Sequence, residues 1–279
     1  MTEILKNENA HFLQQFEKSI DSYLSEQGDS KLSASMRYSL KSKGKRFRPF
    51  LSYLIVQVFG KSFESVKAWC LAIELIHTYS LIHDDLPCMD NDDVRRGLPT
   101  NHKVFGEDIA LLAGDSLISE AFRIIAEDIS LSANTRINLV QLLAEKIGPS
   151  GMVGGQVLDM QVNGHLQIEQ LKHLHILKTG NLIQAAVLGS GQILELPTDQ
   201  LEQLGKFALH LGLSFQIKDD LLDYNCEKTD YKNYVQVLGH DIALSELALH
   251  SAAATDFLQD LKANQILKDL IQFNLTRTA

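Results

Sequence analysis

The chain is poor in the residues that would place it in several large protein classes. Its 279 residues include only three cysteines, Cys70, Cys88 and Cys226, widely spaced and without a CxxC pair. That pattern argues against a disulfide framework or a zinc ribbon and fits a reducing compartment. Prolines number only five, while hydrophobic residues make up 45% and charged residues 22%, which excludes a disordered chain. Positive charge is in deficit: Lys+Arg 26 against Asp+Glu 35 gives a net charge of -9, so a polyanion would have to be met by a local basic site or a metal rather than by a basic face. No stretch approaches the ~20 apolar residues that span a bilayer. The opening MTEILKNENAHFLQQFEKSI is polar and lacks the apolar run and cleavage site of a secretion signal. The expectation is a soluble, cytoplasmic protein. Without repeats, composition shifts or a Ser/Pro/Gly-rich linker, a single domain over residues 1–279 is expected.

What is present is helical periodicity. Apolar residues recur at three- and four-residue steps, as in Phe12, Phe16, Ile20, Tyr23 and Leu24, and again in Leu201, Leu204, Phe207, Ala208 and Leu211. Glycines and prolines fall between such segments, at Gly44 to Pro49, Gly97 to Pro99 and Gly148 to Gly155, and alternating runs are scarce. The pattern predicts an all-α bundle of roughly ten helices joined by short loops.

Two acidic clusters interrupt the apolar pattern. In FQIKDDLLDY, Gln216, Asp219, Asp220 and Asp223 fall within an arc of about 100° on one helix face. Carboxylates ~4 Å apart repel by several kcal/mol at an effective dielectric of ~20, so this face is either solvated or holds cations. The apolar neighbours Phe215, Ile217, Leu221 and Leu222 favour the second reading, since buried aspartates are rarely left unpaired. The first cluster ends a long apolar helix, ELIHTYSLIHDDLPCMDNDDVRRG. Asp84 and Asp85 come near its end, and Pro87 breaks the helix so that the backbone can bring Asp90 back toward them. Arg95 and Arg96 follow at once, forming either a surface ion-pair network or a site where metal and arginine together grip a polyphosphate. Oxygen ligands without His or Cys point to Mg²⁺ or Mn²⁺ rather than zinc. His173 and His175 read as an ordinary helix face, and the sequence has no HExxH. Lys45, Arg46 and Arg48 form either a solvated basic turn or part of an anion site. His77 lies about two turns before Asp84, on nearly the same face.

These strings, GKRFRP at Gly44 to Pro49, ELIHTYSLIHDDLPCMDNDDVRRG at Glu74 to Gly97, GGQVLD at Gly154 to Asp159, LKTG at Leu177 to Gly180 and FQIKDDLLD at Phe215 to Asp223, occur in the order found in short-chain trans-prenyltransferases (polyprenyl synthases). The sequence resembles that family, and most closely its bacterial farnesyl diphosphate synthases. The resemblance implies a single-domain antiparallel helical bundle around a deep central cavity, a homodimer, and condensation of isopentenyl diphosphate with dimethylallyl or geranyl diphosphate through an allylic carbocation. It implies that Asp84, Asp85, Asp90, Asp219, Asp220 and Asp223 hold up to three Mg²⁺ ions, with Mn²⁺ as an alternative. It assigns Arg95, Lys178 and, through the abbreviated segment after Asp223, Lys232 to the allylic diphosphate. Lys45, Arg48, His77 and Arg96 are assigned to isopentenyl diphosphate. Thr179 and Gln216 supply oxygen dipoles to the cation, and Gln156 and Asp159 match positions near the metal site. Geranylgeranyl diphosphate synthesis and a noncatalytic partner subunit are the alternatives. A terpene cyclase is disfavoured by GKRFRP.

Tyr79 and Ser80, just upstream of the first cluster, match the positions that floor the cavity in this family, and the bulk of Tyr79 favours a fifteen-carbon product. Tyr79→Ala is expected to lengthen that product. Chromatography of the released prenyl alcohols checks this, and unchanged fifteen-carbon output would place the floor elsewhere.

Overall fold

The computed structural model describes residues 1–224, 231–259 and 265–278. Its helices are α1 (Glu3–Ser25), α2 (Lys31–Leu40), α3 (Phe47–Val58), α4 (Lys67–Asp84), α5 (Asn101–Phe105), α6 (Glu107–Glu127), α7 (Ala133–Ile147), α8 (Met152–Gln161), α9 (Ile168–His175), α10 (Asn181–Ile193), α11 (Thr198–Asp223), α12 (Tyr234–Leu238), α13 (His240–Asp256) and α14 (Gln265–Thr276). A π-turn, Ile176–Gly180, joins α9 to α10. The fourteen α-helices among the described residues exceed the roughly ten expected. The excess comes from pieces such as α5 and α12, five residues each, that are too short for periodicity to register. Among the described residues the only strands are Val94–Arg95 and Leu98–Pro99, paired antiparallel with Val94 opposite Pro99 and Arg95 opposite Leu98. No described helix is long and apolar enough to cross a membrane.

Helix α4 runs through the middle. It is apolar nearly all round, and it buries Trp69, Cys70, Leu71, Ile73, Leu75, Ile76, Tyr79 and Ile82, as a helix enclosed on every side must. It packs on α3 and α6, while α10 packs on α3, α7 and α11, and α11 on α13. Trp69 illustrates the fit: its indole N–H donates to the Ala186 carbonyl at 3.3 Å, and its ring lies where a Cβ on Gly189 would be. A smaller cluster, Leu171, Ile217, Tyr234, Val235, Ala243 and Leu247, ties α9, α11, α12 and α13 together beneath the second acidic cluster.

Glu74 is the polar exception inside α4, 1% exposed, and Arg46 is the reason it is tolerated. Arg46 caps α3 in the left-handed region (φ 46), a backbone state that costs a non-glycine residue of order 1 kcal/mol. The turn aims its guanidinium inward, to Glu74 at 2.7 Å, Glu17 at 2.9 Å and the Leu40 carbonyl at 2.6 Å. Of the three basic residues in GKRFRP, then, Arg46 belongs to the core, and Lys45 and Arg48 face elsewhere.

Removing Arg46 leaves Glu74 buried and unpaired. Arg46→Met is expected to lower the unfolding free energy by about 3–5 kcal/mol, and adding Glu74→Leu should recover much of it. Urea denaturation measures both, and a single variant as stable as the parent would show that the pair contributes nothing.

Candidate active site

The first cluster is shaped by the end of α4. After Asp84 the chain turns at Pro87, and the Asp90 N–H donates to the Asp84 carbonyl at 2.8 Å while Asn91 adopts φ 54. The backbone thus returns Asp90 to Asp84, as the proline break suggests. Asp85 is 3% exposed and accepts from Arg95 Nε at 2.6 Å. Arg95 also reaches Asp92 at 2.9 Å. Burial still leaves the Asp85 carboxyl above its ordinary pKa. Asp84 is pushed up to about 6, chiefly by burial, with Asp90 and Asp85 adding to the effect and the Lys178 ammonium opposing it. Arg96, at φ 54, lays its guanidinium over Gly44, where a Cβ would come within 2.8 Å of it, and donates to Ser42 Oγ at 3.2 Å.

The second cluster lies along α11. Asp220 is 7% exposed and accepts from Gln216 Nε2 at 2.8 Å and from the Tyr234 backbone N–H at 2.8 Å. Asp219 accepts from Arg277, whose guanidinium also stands 4.5 Å over the Phe215 ring. Burial nonetheless keeps the Asp219 carboxyl above its ordinary pKa. Asp223 and Asp90 are exposed. The Phe47 and Phe215 rings stack at 4.5 Å and fasten the start of α3 to α11, which carries the basic turn toward Asp219.

Beside the first cluster, with Asp84 in its wall, lies a cavity of about 460 Å³. Its polar lining comes from Arg48, His77, Asp84, Lys178 and Thr179, and its apolar lining from such residues as Tyr79, Leu86, Met89 and Met152. Ser80 and Gln156 line it too. Arg48 stands 3.3 Å from His77 Nε2; a guanidinium can only donate, so Nε2 accepts and the imidazole proton sits on Nδ1. Burial, aided by Arg48 and Arg96, holds the His77 pKa well below the usual histidine range and keeps the ring neutral. The π-turn presents Lys178 and Thr179 side by side. Such turns insert a residue into a helix and frequently mark functional positions. Thr179 Oγ1 donates to Gln216 Oε1 at 3.0 Å, which continues the chain of contacts through Gln216 to Asp220. Lys178 and Lys232 converge on one buried oxygen, Asp159 Oδ2, at 2.7 and 3.0 Å. Burial alone would raise the Asp159 pKa, but the two ammonium groups hold it below the ordinary value. Lys45 is exposed and lines a separate pocket together with Gly44, Arg48, His77 and Arg96.

Among the described residues no three His, Cys, Asp or Glu side chains stand close enough to hold a metal by themselves. The donor set is all carboxylate, and the displaced pKa values mark negative charge that a hard cation would relieve. These residues suit Mg²⁺, which completes its shell with water and substrate phosphate. Residues 225–230, which include Cys226 and the first part of the segment after Asp223 expected to be abbreviated, fall outside the described residues. Sequence reasoning passed over Arg277, which carries no motif, and His175. The latter is buried rather than on an ordinary face, stacks on Tyr234, and bonds through Nε2 to the Lys232 carbonyl at 3.0 Å.

A family model described as polyprenyl synthetase matches residues 29–277. The chain is 44% identical over 229 residues to the farnesyl diphosphate synthase of Bacillus subtilis (strain 168), covering 78% of this chain and 77% of that one. It is 42% identical over 262 residues to the farnesyl diphosphate synthase of Micrococcus luteus, covering 89% and 90%. A heterodimeric geranylgeranyl pyrophosphate synthase large subunit of Arabidopsis thaliana is 44% identical over 218 residues, covering 74% of this chain and 57% of that one. Among solved structures, the geranyltransferase of Legionella pneumophila superposes with a TM-score of 0.90 at 32% identity, covering 99% and 98%.

Because folding raises the Asp84 pKa from 3.8 to about 6, the fold favours the protonated carboxyl. Its contribution is fully present below pH 3.8 and lost as pH rises through about 6. In metal-free buffer Asp84→Asn is therefore expected to be more stable than the parent at pH 8, by about 1–3 kcal/mol, with the difference closing toward pH 4. Denaturation at the two pH values tests this, and an equal difference at both would contradict it.

Proposed function

The chain belongs to the polyprenyl synthetase family, and from that membership we propose that it condenses isopentenyl diphosphate with dimethylallyl or geranyl diphosphate to give farnesyl diphosphate. The observation that carries the reading is one largely apolar cavity of about 460 Å³ with Asp84, Arg48 and Lys178 in its wall, a prenyl-sized space bordered by charges suited to diphosphate. Asp84, Asp85, Asp90, Asp219, Asp220 and Asp223 would hold the Mg²⁺, which when bound neutralises charge on the departing diphosphate. Lys178, Lys232 and Arg95 orient the allylic diphosphate, while Lys45, Arg48, Arg96 and neutral His77 orient that of isopentenyl diphosphate.

The reaction breaks the allylic C–O bond, so that the electron pair leaves with the diphosphate and a carbocation remains. The alkene of isopentenyl diphosphate attacks that carbon, and the released diphosphate takes up the proton whose loss restores a double bond. Thr179 and Gln216 suit the cation because they offer oxygen dipoles without an activated nucleophile. Gln216 is held so that Oε1 accepts from Thr179 while its amide group donates to Asp220, which fixes the side of the amide facing Thr179. The working unit is proposed to be a cytoplasmic, single-domain homodimer, and the exposed Leu112 on α6 fits a surface that a second copy covers. Geranylgeranyl diphosphate synthesis is the second reading, favoured by the plant relative of similar identity.

Incubation with Mg²⁺, dimethylallyl diphosphate and isopentenyl diphosphate tests the proposal, and absence of prenyl product at every metal level would reject it in favour of a noncatalytic subunit. Asp84→Ala and Asp219→Ala should each lower kcat at least ~100-fold, a loss of about 2.7 kcal/mol of transition-state stabilisation, with circular dichroism unchanged. Near-normal turnover in either would refute the metal assignment.

A further inference from the structure

His83 immediately precedes Asp84 and is not used in the chemistry above, yet its side chain is fixed from three sides. Its Nε2 lies 3.0 Å from the Leu111 carbonyl of α6; a carbonyl only accepts, so Nε2 carries the proton and the imidazole is tethered across the seam between α4 and α6. Its ring meets that of Tyr79, one turn earlier, edge-on with centroids 5.6 Å apart. On the facing helix Gly114 has no side chain, and a Cβ there would overlap the imidazole itself. Gly114 sits in the interior of a long helix at φ values that other residues adopt freely, so backbone conformation does not call for glycine, and helix propensity argues against it by roughly 1 kcal/mol. The space it leaves is filled by His83.

His83, Tyr79 and Leu111 all line the cavity. We infer that His83, seated in the notch at Gly114, is part of the wall that limits prenyl length, so that reach into the cavity is set jointly by α4 and α6 and not by Tyr79 alone. This rests on the reading of the cavity as a prenyl site. The two residues act in opposite directions. Shortening His83 removes a ring from the wall and deepens the space, whereas a methyl on Gly114 expels the ring from its notch toward Tyr79 and the cavity.

The test is binding of geranyl, farnesyl and geranylgeranyl diphosphate in the presence of Mg²⁺, measured by calorimetry on the full chain, with product length as a second readout. His83→Ala is expected to raise affinity for geranylgeranyl relative to farnesyl diphosphate at least ~10-fold over the parent, the scale that a few newly accommodated carbons provide. Gly114→Ala should lower affinity for farnesyl relative to geranyl diphosphate, with products shifting toward ten carbons. A merely structural role would weaken all three ligands alike. His83→Ala with the parent's affinity ratios overturns the inference whatever becomes of Gly114→Ala, and a folded Gly114→Ala with unchanged ratios overturns it as well. Because the readout is binding, a parent that binds the three ligands but forms no product would defeat the proposed reaction and leave the wall to be judged on its ratios; a parent that binds none of them would defeat both.

Discussion

Asp220 accepts from Gln216 and from the Tyr234 backbone, Asp85 from Arg95, Asp219 from Arg277 and Asp159 from two lysines. A carboxylate withdrawn from water persists only with such partners, and here all of them except Gln216, which shares α11 with Asp220, come from another element of the chain. Satisfying the acidic residues therefore assembles the molecule around its cavity: the hairpin is held to α4, the C-terminal segment to α11, and the segment before α12 to α8 and the π-turn. Compensation is incomplete at Asp84, Asp85 and Asp219, whose carboxyls stay above their ordinary pKa. That residual charge strain fits a site intended for a cation.

The sequence made some of this legible and hid the rest for physical reasons. Helical character was readable because the long helices bury one face and repeat it over many turns. The return of Asp90 to Asp84 followed from Pro87, a residue with a strong local effect. The grouping of Gln216 with Asp219, Asp220 and Asp223 followed from helix geometry alone. In contrast, Arg46 sat in a basic string whose members looked alike, and only the left-handed turn shows that its side chain goes to Glu74. Arg277 and His175 act through contacts distant in the chain, which no spacing rule anticipates. The likeness to known prenyltransferases supplied roles for Lys178, Thr179 and Lys232, while the contacts that hold them, Asp159 above all, come from the fold.

His77 shows how location redefines a residue. Two turns before Asp84, burial beside arginines keeps it neutral with its proton on Nδ1. A neutral donor next to fixed cations favours recognition of an anion over transfer of a proton. The absence of a required base in the proposed condensation is consistent with that chemistry.

The π-turn at Ile176–Gly180 has one further implication. Helices α9 and α10 would form one continuous rod if a single residue were removed there, and the rod on one side would rotate by about 100° relative to the other. Lys178 and Thr179 could not then both keep their present partners on α8 and α11. The local irregularity works as a phase shifter: it lets one helical track address two neighbouring surfaces whose angular positions a uniform helix could not match.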